Sequence, residues 1–387
     1  MTFRPLDALT PHSRRLTGPR RFGTVHPARL QHVIAPAPAA PAATQALILF
    51  PSAELAGQLV AGVPAAARAV REAALAGFAE IAVVIPQQWW SDCWIRDEVA
   101  RLGGGSAVSF QTEAKAFVSA MPDAAVINGA ELPAAEAFAA ARGGARAQRS
   151  TPDAAAQLLR QRSRELLRAT AKPGDGIVSR HLNRPISQAI SSRLLRLRGV
   201  TPLHATFGTA GLAILMFAAL VFGGAPGLIL GALLFQAASV FDGVDGEIAR
   251  ATFQTSPAGA RLDSLIDAAT NLAFIAGTSF NLFLQGDSRS ALLGAAGLAV
   301  FALGLAIIAR RSRNRATGLT FDAVKERVGK HRSRLMTCLT WLTMRDFFAL
   351  AFAVLIAAGF AGFALHAFAV IVLGWFVVVA LVMSRKA

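Results

Sequence analysis

The chain has 387 residues, of which 54% are hydrophobic, with a formal net charge of +16 and a mean hydropathy of +0.46. This composition is more apolar than is usual for a soluble protein, and two cysteines exclude a disulfide framework larger than one bridge. The apolar residues concentrate beyond about residue 200, so we expect a soluble N-terminal part followed by a membrane part.

The positive charge indicates a membrane partner. A basic chain can bind nucleic acid or the anionic head groups of lipids. Because the basic residues here flank apolar segments, we expect contact with anionic membrane lipids and no nucleic acid. The N-terminus, MTFRPLDALTPHSRRLTGPRRFG, lacks the apolar core of a signal peptide, so we expect the N-terminal part to stay in the cytoplasm.

The first two regions of the chain are a linker and an α/β pattern. Residues 1–44 are basic, and their stretch IAPAPAAPAA is typical of a stiff linker. Residues 45–150 contain three apolar runs, QALILF, EIAVVIP and AAVING, which predict buried strands. A helical pattern that ends at Gly77 separates the first two runs. We therefore expect a cytoplasmic α/β domain with a parallel sheet.

Residues 151–199 predict two basic helices. The stretch 152–170 contains four arginines and is either a solvated connecting helix or a helix at the membrane surface. The second helix has its apolar residues near one side and its arginines elsewhere, which is typical of a helix lying in the membrane interface. Those apolar residues are Ile186, Ile190, Leu194 and Leu197.

Residues 200–387 contain six apolar segments, which predict a polytopic all-α membrane domain of six transmembrane helices. The segments are 205–222, 226–241, 264–284, 290–309, 346–363 and 365–383. A span needs about 20 apolar residues, so the second segment must run on into the acidic stretch FDGVDGEIAR, and the third must start near Leu262. The start of the fifth stays open, because residues 335–344 are also apolar.

The distribution of basic residues predicts the orientation of these helices. Lysines and arginines concentrate in the link after the fourth segment and at the C-terminus, whereas the alternate connections contain few. We expect an integral protein of the inner or plasma membrane. Its N-terminal domain, the acidic turn between segments two and three, and the C-terminus would all face the cytoplasm.

Four aspartates flank that acidic turn. They are Asp242, Asp245, Asp263 and Asp267. The first two are three positions apart and the last two are four apart, so each pair shares one face of its helix. Two antiparallel helices can direct all four carboxylates into one pocket. Such hard oxygen ligands favour Mg²⁺ or Mn²⁺, and Gly246 and Gly259 leave room beside them for a ligand.

The charges around this turn are open to two further interpretations. Carboxylates at helix ends often only face solvent, and intramembrane carboxylates can belong to an ion or proton pathway. The spacing excludes a calcium loop of the EF-hand type. Glu247 lies outside the pattern of four aspartates, and its simplest interpretation is a side chain that faces water.

The pattern Asp242-x2-Asp245-Gly246-x2-Ala249-Arg250-x8-Gly259-x3-Asp263-x3-Asp267 resembles, without a mismatch, the signature of the CDP-alcohol phosphotransferases. The resemblance covers about residues 172–387. It implies transfer of a substituted phosphate from a CDP-linked alcohol to a hydroxyl acceptor, with release of CMP. The four aspartates would hold two divalent ions, and Asp267 would also be the catalytic base.

The same resemblance implies a set of residues around the cytidine diphosphate. They are Gly246, Ala249, Arg250, Ser256 and Gly259. The sequence departs from the family at the start of the first span, where Thr201-Pro202-Leu203 replaces a frequent Thr-Pro-Asn, so any polar contact from that Asn is missing. A homodimer is common among related proteins, and the sequence does not decide it.

The stretch LVAGVPAAARAVREAALAGFAEIAVVIP is similar to the first βαβ region of sugar-phosphate nucleotidyltransferases. In those enzymes a Gly-rich loop with an arginine follows the first strand and holds the nucleotide triphosphate, whereas this chain has FPSAELAGQL there. A metal-binding aspartate often follows a later strand, at the place of Ala130 in this chain. We therefore expect a degenerate, non-catalytic domain with a structural or regulatory role.

The two-domain arrangement resembles the bifunctional enzymes of inositol phosphodiester synthesis and favours a phosphorylated polyol as substrate. Basic residues after the fourth segment could bind its phosphate, although the orientation rule explains them equally well. They are Lys325, Arg327, Lys330 and Arg332. Two alternative functions stay open, namely a non-catalytic membrane scaffold that retains the fold and a nucleotidyltransferase with a membrane anchor.

Overall fold

A computed structural model describes residues 44–85, 92–113, 124–132, 151–172, 175–312 and 345–384, together with residues 134, 136 and 138. Three features of the sequence lie outside the described residues: the basic segment 1–43, the apolar stretch 335–344, and the four basic residues predicted to bind an acceptor phosphate. Those four are Lys325, Arg327, Lys330 and Arg332.

A four-stranded parallel sheet forms the N-terminal part, which confirms the predicted α/β architecture. Its strands are β1 (Gln45–Leu49), β4 (Glu80–Val84), β5 (Ala107–Gln111) and β6 (Ala125–Asn128), in the order β5-β4-β1-β6. The central strands β1 and β4 are almost wholly buried, as expected for apolar runs in a parallel sheet. The edge strand β5 is missing from the sequence prediction because its residues are only partly buried and form no apolar run.

A tight hairpin precedes the main helix of this part. Strands β2 (Leu59–Val60) and β3 (Val63–Pro64) are joined by Ala61 and Gly62, whose φ angles of 45° and 85° are those of a type I′ turn. The helix predicted in this stretch therefore begins only after the hairpin. It ends where expected, since Gly77 has a φ of 85°.

The described part of residues 44–172 contains four helices. They are α1 (Ala53–Gly57), α2 (Ala65–Leu75), α3 (Cys93–Leu102) and α4 (Pro152–Arg168). Helix α4 is the predicted basic helix, and it packs Ala155 and Leu159 into the core of the α/β part. The N-terminal half of α4 is therefore packed on the α/β part, and its C-terminal end leads to the membrane part.

Helix α5 (Arg184–Leu194) follows a π-helical turn at Ser179–Asn183. Its buried face is polar and contains Ser187 and Ser191, while Ile186 on another side is exposed. The predicted placement in the membrane interface would cover that exposed side, and it remains a prediction.

Beyond residue 200, the described residues form six helices. They are α6 (Pro202–Phe222), α7 (Gly224–Thr252), α8 (Pro257–Leu284), α9 (Ser288–Ser312), α10 (Arg345–Ala357) and α11 (Ala361–Ser384). Among the residues that the structure describes, three helices are long and apolar enough to cross a membrane: α6, α7 and Ser288–Ile307 of α9. The helical membrane part is thus supported, and the count of six spans remains a prediction.

Two of the helix bounds bear directly on the predicted segments. Helix α7 extends the segment 226–241 through the whole acidic stretch, as its length required. Helix α10 ends at Ala357, although the fifth segment was predicted to reach residue 363. The helix stops there because Gly359 has a φ of 82° and Phe360 N–H bonds back to the Leu355 carbonyl at 2.8 Å, which closes the last turn.

Aromatic rings form the core between α7 and its neighbours. Phe235 of α7 stacks on Phe274 of α8 with ring centroids 4.0 Å apart, and Phe352 of α10 meets Phe274 edge-on at 5.4 Å. At the α6–α7 turn, the Asn281 amide donates to the carbonyls of Leu220 (2.6 Å) and Gly224 (2.8 Å). These contacts hold α7 against α6 and α8, and thereby fix the two helices that carry the aspartates.

The α6–α7 contact requires Gly227, and this generates a testable prediction. A Cβ atom at Gly227 would lie 2.2 Å from the Ala219 carbonyl oxygen, which is backbone and cannot move aside. We expect Gly227→Ala to lower the free energy of unfolding by about 1–3 kcal/mol. The thermal midpoint of the purified protein in detergent measures the change.

Gly211→Ala is the matched control, since a Cβ atom at Gly211 of α6 meets nothing within 4 Å. This control should leave stability unchanged or raise it by up to about 1 kcal/mol. Equal midpoints for the two variants would contradict the close approach of α7 to α6.

Candidate functional site

Three of the four predicted aspartates converge between α7 and α8. Asp242 lies on α7, and Asp263 and Asp267 lie in the second and third turns of α8. Each offers one carboxylate oxygen, and these three oxygens all lie within 4.8 Å of one another. The cluster forms because α7 runs on unbroken past the apolar core and α8 begins only four residues after α7 ends.

Asp245, on α7, lies beside the cluster and contacts helix α6. It is only 7% exposed, accepts a hydrogen bond of 2.9 Å from the Thr206 hydroxyl, and lies within hydrogen-bonding reach of Asp263. Thr206 is a contact that sequence reasoning missed, because nothing in the motif indicates which side chain of another helix supports an aspartate.

The residues of this cluster fit a divalent cation. Half-buried carboxylates at such short separation repel one another, and a cation or a shared proton must offset that repulsion. The donor set consists only of hard oxygens from two rigid helices, which suits Mg²⁺ or Mn²⁺. The arrangement of these carboxylates on α7 and α8 can therefore hold a divalent cation.

The residues predicted to surround a cytidine diphosphate lie at the same end. Gly246, Ala249 and Arg250 occupy the last two turns of α7, and a Cβ atom at Gly246 would lie 3.0 Å from a guanidinium nitrogen of Arg250. The glycine thus leaves space for that side chain. Arg250 is further oriented by its Nε–H, which donates to the Thr170 carbonyl at 2.8 Å.

Ser256 and Gly259 open the second motif helix. The Ser256 hydroxyl accepts a hydrogen bond of 3.0 Å from Gly259 N–H and caps the N-terminus of α8. Gly259 itself is exposed, so the backbone of this turn faces solvent beside the aspartates. Contact of all five residues with a nucleotide remains a prediction.

Glu247 does not face water, so that interpretation of the sequence was wrong. Its side chain is 0% exposed and accepts hydrogen bonds from the hydroxyls of Ser187 and Ser191, both at 2.6 Å, and from Arg184 at 3.0 Å. Arg184 also binds Asp175 through two nitrogens, at 2.7 and 3.1 Å. The acidic side chain therefore clamps helix α5 onto the motif helix α7.

The electrostatics of this network favour the charged forms. Burial alone would lower the pKa of Arg184, but hydrogen bonds and charge from Asp175 and Glu247 hold that pKa above its ordinary value. Burial alone would raise the pKa of Asp175, but the Arg184 guanidinium beside it holds that pKa below its ordinary value. The ionised network is therefore stable at neutral pH.

A signal for this network was present in the sequence. Arg184, Ser187 and Ser191 lie three and four positions apart, so they share one face of α5. That polar face is the one that packs against α7. The apolar side of the same helix gave the stronger pattern and predicted a membrane contact, so the role of the polar face was missed.

Comparison with known proteins agrees with the motif. Residues 201–384 match the family model of the CDP-alcohol phosphatidyltransferases. This part of the chain is therefore a CDP-alcohol phosphatidyltransferase domain, which confirms the resemblance predicted from the aspartate pattern. The parallel-sheet part before it is consistent with the nucleotidyltransferase-like resemblance.

Curated relatives share the same name, "Bifunctional IPC transferase and DIPP synthase". The protein of Thermococcus kodakarensis is 40% identical over 118 residues, which are 30% of this chain and 26% of the relative. That of Aquifex aeolicus is 42% identical over 109 residues, or 28% and 24% of the two chains. That of Rubrobacter xylanophilus is 36% identical over 161 residues, or 41% and 34%. The matched region thus spans about a quarter to a third of the length of these relatives.

The buried Glu247 network generates a second prediction. Glu247→Gln keeps the shape of the side chain but removes the charged acceptor of Arg184, Ser187 and Ser191, while Arg184 keeps its pair with Asp175. We expect a loss of about 1–3 kcal/mol in the free energy of unfolding, because buried hydrogen bonds to a charged group are weakened. Thermal unfolding of the purified protein at neutral pH measures it.

The control for this measurement is Glu165→Gln. Glu165 is exposed and pairs with Arg162 on the surface of α4, so its loss should leave the thermal midpoint unchanged. A midpoint of the Glu247 variant equal to that of the control would show that the network does not clamp α5 to α7.

Proposed function

We propose that this chain, whose residues 201–384 form a CDP-alcohol phosphatidyltransferase domain, is a membrane transferase. It moves a substituted phosphate from a CDP-linked alcohol to a hydroxyl acceptor and releases CMP. The observation that carries the proposal is the cluster of Asp242, Asp263 and Asp267 on two adjacent helices, with Arg250 at the same helix end.

The proposed mechanism assigns a role to each side chain of the cluster. Asp242, Asp245, Asp263 and Asp267 would hold two divalent ions, Mg²⁺ or Mn²⁺, which when bound neutralise charge on the diphosphate and on the departing CMP. Arg250 binds a phosphate of the donor through its guanidinium. Gly246, Ala249, Ser256 and Gly259 surround the cytidine diphosphate with small side chains.

Asp267 acts as the base in this scheme. It takes the proton from the acceptor hydroxyl while the acceptor oxygen forms a bond to the phosphorus attached to the donor alcohol. The bond between that phosphorus and the oxygen bridging to CMP breaks, and CMP leaves with the electron pair. The closeness of the Asp267 carboxylate to those of Asp242 and Asp263 supports this role.

The substrates we propose are a lipid alcohol and a phosphorylated polyol of the inositol type, in phospholipid or inositol-type phosphodiester synthesis. The relatives' printed name, with its transferase and synthase parts, agrees with the two-domain arrangement of this chain. Lys325, Arg327, Lys330 and Arg332, which lie outside the described residues, would bind a phosphate on the polyol.

The proposed setting is the inner or plasma membrane, with six spans and the aspartate cluster at the cytoplasmic face. Exposed apolar residues on the long helices support a lipid environment, and examples are Phe222, Leu292 and Val370. Anionic lipids would contact the basic connections, and a homodimer would be the assembled form. We also propose that the α/β part has no nucleotidyltransferase activity.

The first test of this function is substitution of the base. Asp267→Asn should lower the rate of CMP release by about 10²–10⁴-fold, because the variant cannot accept the proton of the hydroxyl. Asp153→Asn, at an exposed aspartate in the first turn of α4, is the matched control and should retain the wild-type rate. Undiminished release by a folded Asp267 variant would remove Asp267 from the role of base.

The second test identifies substrates and metal dependence together. Membranes containing the protein are incubated with CDP-linked lipids and CDP-linked polyols against a panel of hydroxyl acceptors, and CMP and lipid products are followed by mass spectrometry. We expect release only with Mg²⁺ or Mn²⁺, with loss on chelation and recovery on re-addition.

Two outcomes of that test would replace the proposed function. Metal binding without CMP release from any pair would favour a non-catalytic scaffold. Turnover of a nucleoside triphosphate by the full chain, without CMP release, would favour a nucleotidyltransferase with a membrane anchor.

A further inference from the structure

The α/β part binds the C-terminal end of helix α7 through a buried arginine. Arg68 of α2 is only 4% exposed. Its Nε–H donates to the Val60 carbonyl at 2.6 Å, and one Nη donates to the Ala61 carbonyl at 3.1 Å and to the carbonyl of Ala251 in α7. One guanidinium thus ties the β2–β3 hairpin to the end of the helix that carries Arg250.

A second arginine of the α/β part binds the next carbonyl of α7. Arg101 of α3 donates to the Thr252 carbonyl at 3.0 Å and is itself held by both oxygens of Glu98. The last carbonyls of any α-helix lack partners within the helix, and a positive charge there also favours the helix dipole. Two such carbonyls of α7 are bound by side chains more than 150 positions earlier in the chain.

The residue after α7 is held by the same face of the α/β part. Phe253 has a φ of 58°, a left-handed conformation that is strained for a residue with a side chain. Its ring lies 3.8 Å from the guanidinium carbon of Arg71 and 5.0 Å from that of Arg68. In this conformation Phe253 N–H and Gln254 N–H both bond to the Ala249 carbonyl, which closes the last turn of the helix.

Arg250 binds the segment that follows α4. Its Nε–H donates to the Thr170 carbonyl, two residues beyond α4, and α4 packs on the α/β core. The last turn of α7 is therefore held at Arg250, Ala251, Thr252 and Phe253 by residues of the α/β part and its connecting helix.

The β2–β3 hairpin completes this contact. Gly62 has a φ of 85°, which favours glycine, and a Cβ atom there would lie 2.5 Å from a methyl carbon of Leu195 and 3.1 Å from one of Thr252, so the hairpin lies close to α7. Ala61 joins Val244, Ile248 and Ala251 in one apolar cluster. In the nucleotidyltransferases that this part resembles, the segment after the first strand holds the nucleotide, whereas here the corresponding segment leads into the surface that docks on α7.

Arg68 keeps its charge in this buried position. Burial is the main cause that lowers its pKa, and the value of about 10 leaves the guanidinium protonated at neutral pH. A planar cation with several N–H groups can bind three carbonyls at once, which an ammonium group cannot do in the same geometry.

We propose that Arg68 is a positioning residue for the donor site, and that the α/β part serves in this chain to hold the last turn of α7 so that Arg250 faces the cytidine diphosphate. This inference rests on the proposed function for the identity of the donor. The ordering of residues 249–256 by Arg68 does not depend on which donor binds, and hydrogen exchange measures it separately.

The test uses the full-length protein in detergent with two substitutions, Arg68→Met and Arg68→Lys. Hydrogen exchange of the amides of residues 249–256 reports the order of the last turn, and CDP with Mg²⁺ is the binding probe. For Arg68→Met we expect exchange there to quicken by about tenfold or more and the affinity for CDP to fall by about tenfold, as for the loss of hydrogen bonds to a charged group. Exchange in α11 should not change.

The lysine variant separates positioning from packing. It retains the charge but not the planar set of donors, so we expect both effects to lie between those of the wild type and of Arg68→Met. With a donor found active in the CMP assay, the KM for that donor should rise while kcat changes less than about threefold, since the aspartates are untouched. Arg162→Met, whose ion pair stays within α4, is the control and should match the wild type.

Each outcome decides the inference. Unchanged exchange at 249–256, unchanged CDP affinity, or equal effects of Met and Lys at position 68 would overturn it. If Arg68→Met does not fold, Arg101→Met removes only the outer contact to Thr252 and should change both measurements in the same direction by a smaller factor. A wild-type protein that does not bind CDP would contradict the proposed function, while the exchange measurement would still show whether Arg68 orders α7.

Discussion

The repulsion among clustered carboxylates at the ends of two long helices is the constraint on which the rest of this structure depends. Asp242, Asp263 and Asp267 are held close together although each would be more stable apart and in water. Only rigid elements can impose that proximity, and the chain supplies the two long helices α7 and α8. Stacked rings such as Phe235 of α7 and Phe274 of α8 fix the positions of these helices in the apolar core. The apolar bundle is therefore the support that makes the polar site geometrically possible.

Helix α5 also holds the acidic end of α7, through a contact on a different face from the aspartate cluster. Glu247 lies between Asp245 and Arg250 along α7, yet its side chain joins a network with Arg184 and two serines of α5. Helix α7 thus has carboxylates with different roles on two of its faces. Asp242 and Asp245 lie with the aspartates of α8 at the proposed cation site, whereas Glu247 accepts hydrogen bonds from Arg184 and two serines.

The sequence predicted the parts of this protein that follow from periodicity and from a dense local motif. The parallel sheet followed from three apolar runs, and the meeting of three aspartates followed from their spacing on two consecutive helices. The contacts of Glu247, Thr206 and Arg68 could not be predicted in the same way, because each depends on a partner 39 to 183 positions away and on the rotation of one helix against another. The end of α10 was misplaced because an apolar run continues through Gly359, where only the backbone conformation changes.

The contact between Arg68 and the end of α7 has a consequence for the order in which the protein is made. The residues that bind α7 leave the ribosome before α7 does, and N-terminal domains generally fold first during synthesis. The α/β part can thus be complete when α7 is made, and its arginines then meet the last carbonyls of that helix. Assembly would then proceed from the α/β part to the helical part, with the end of α7 as the first point of contact.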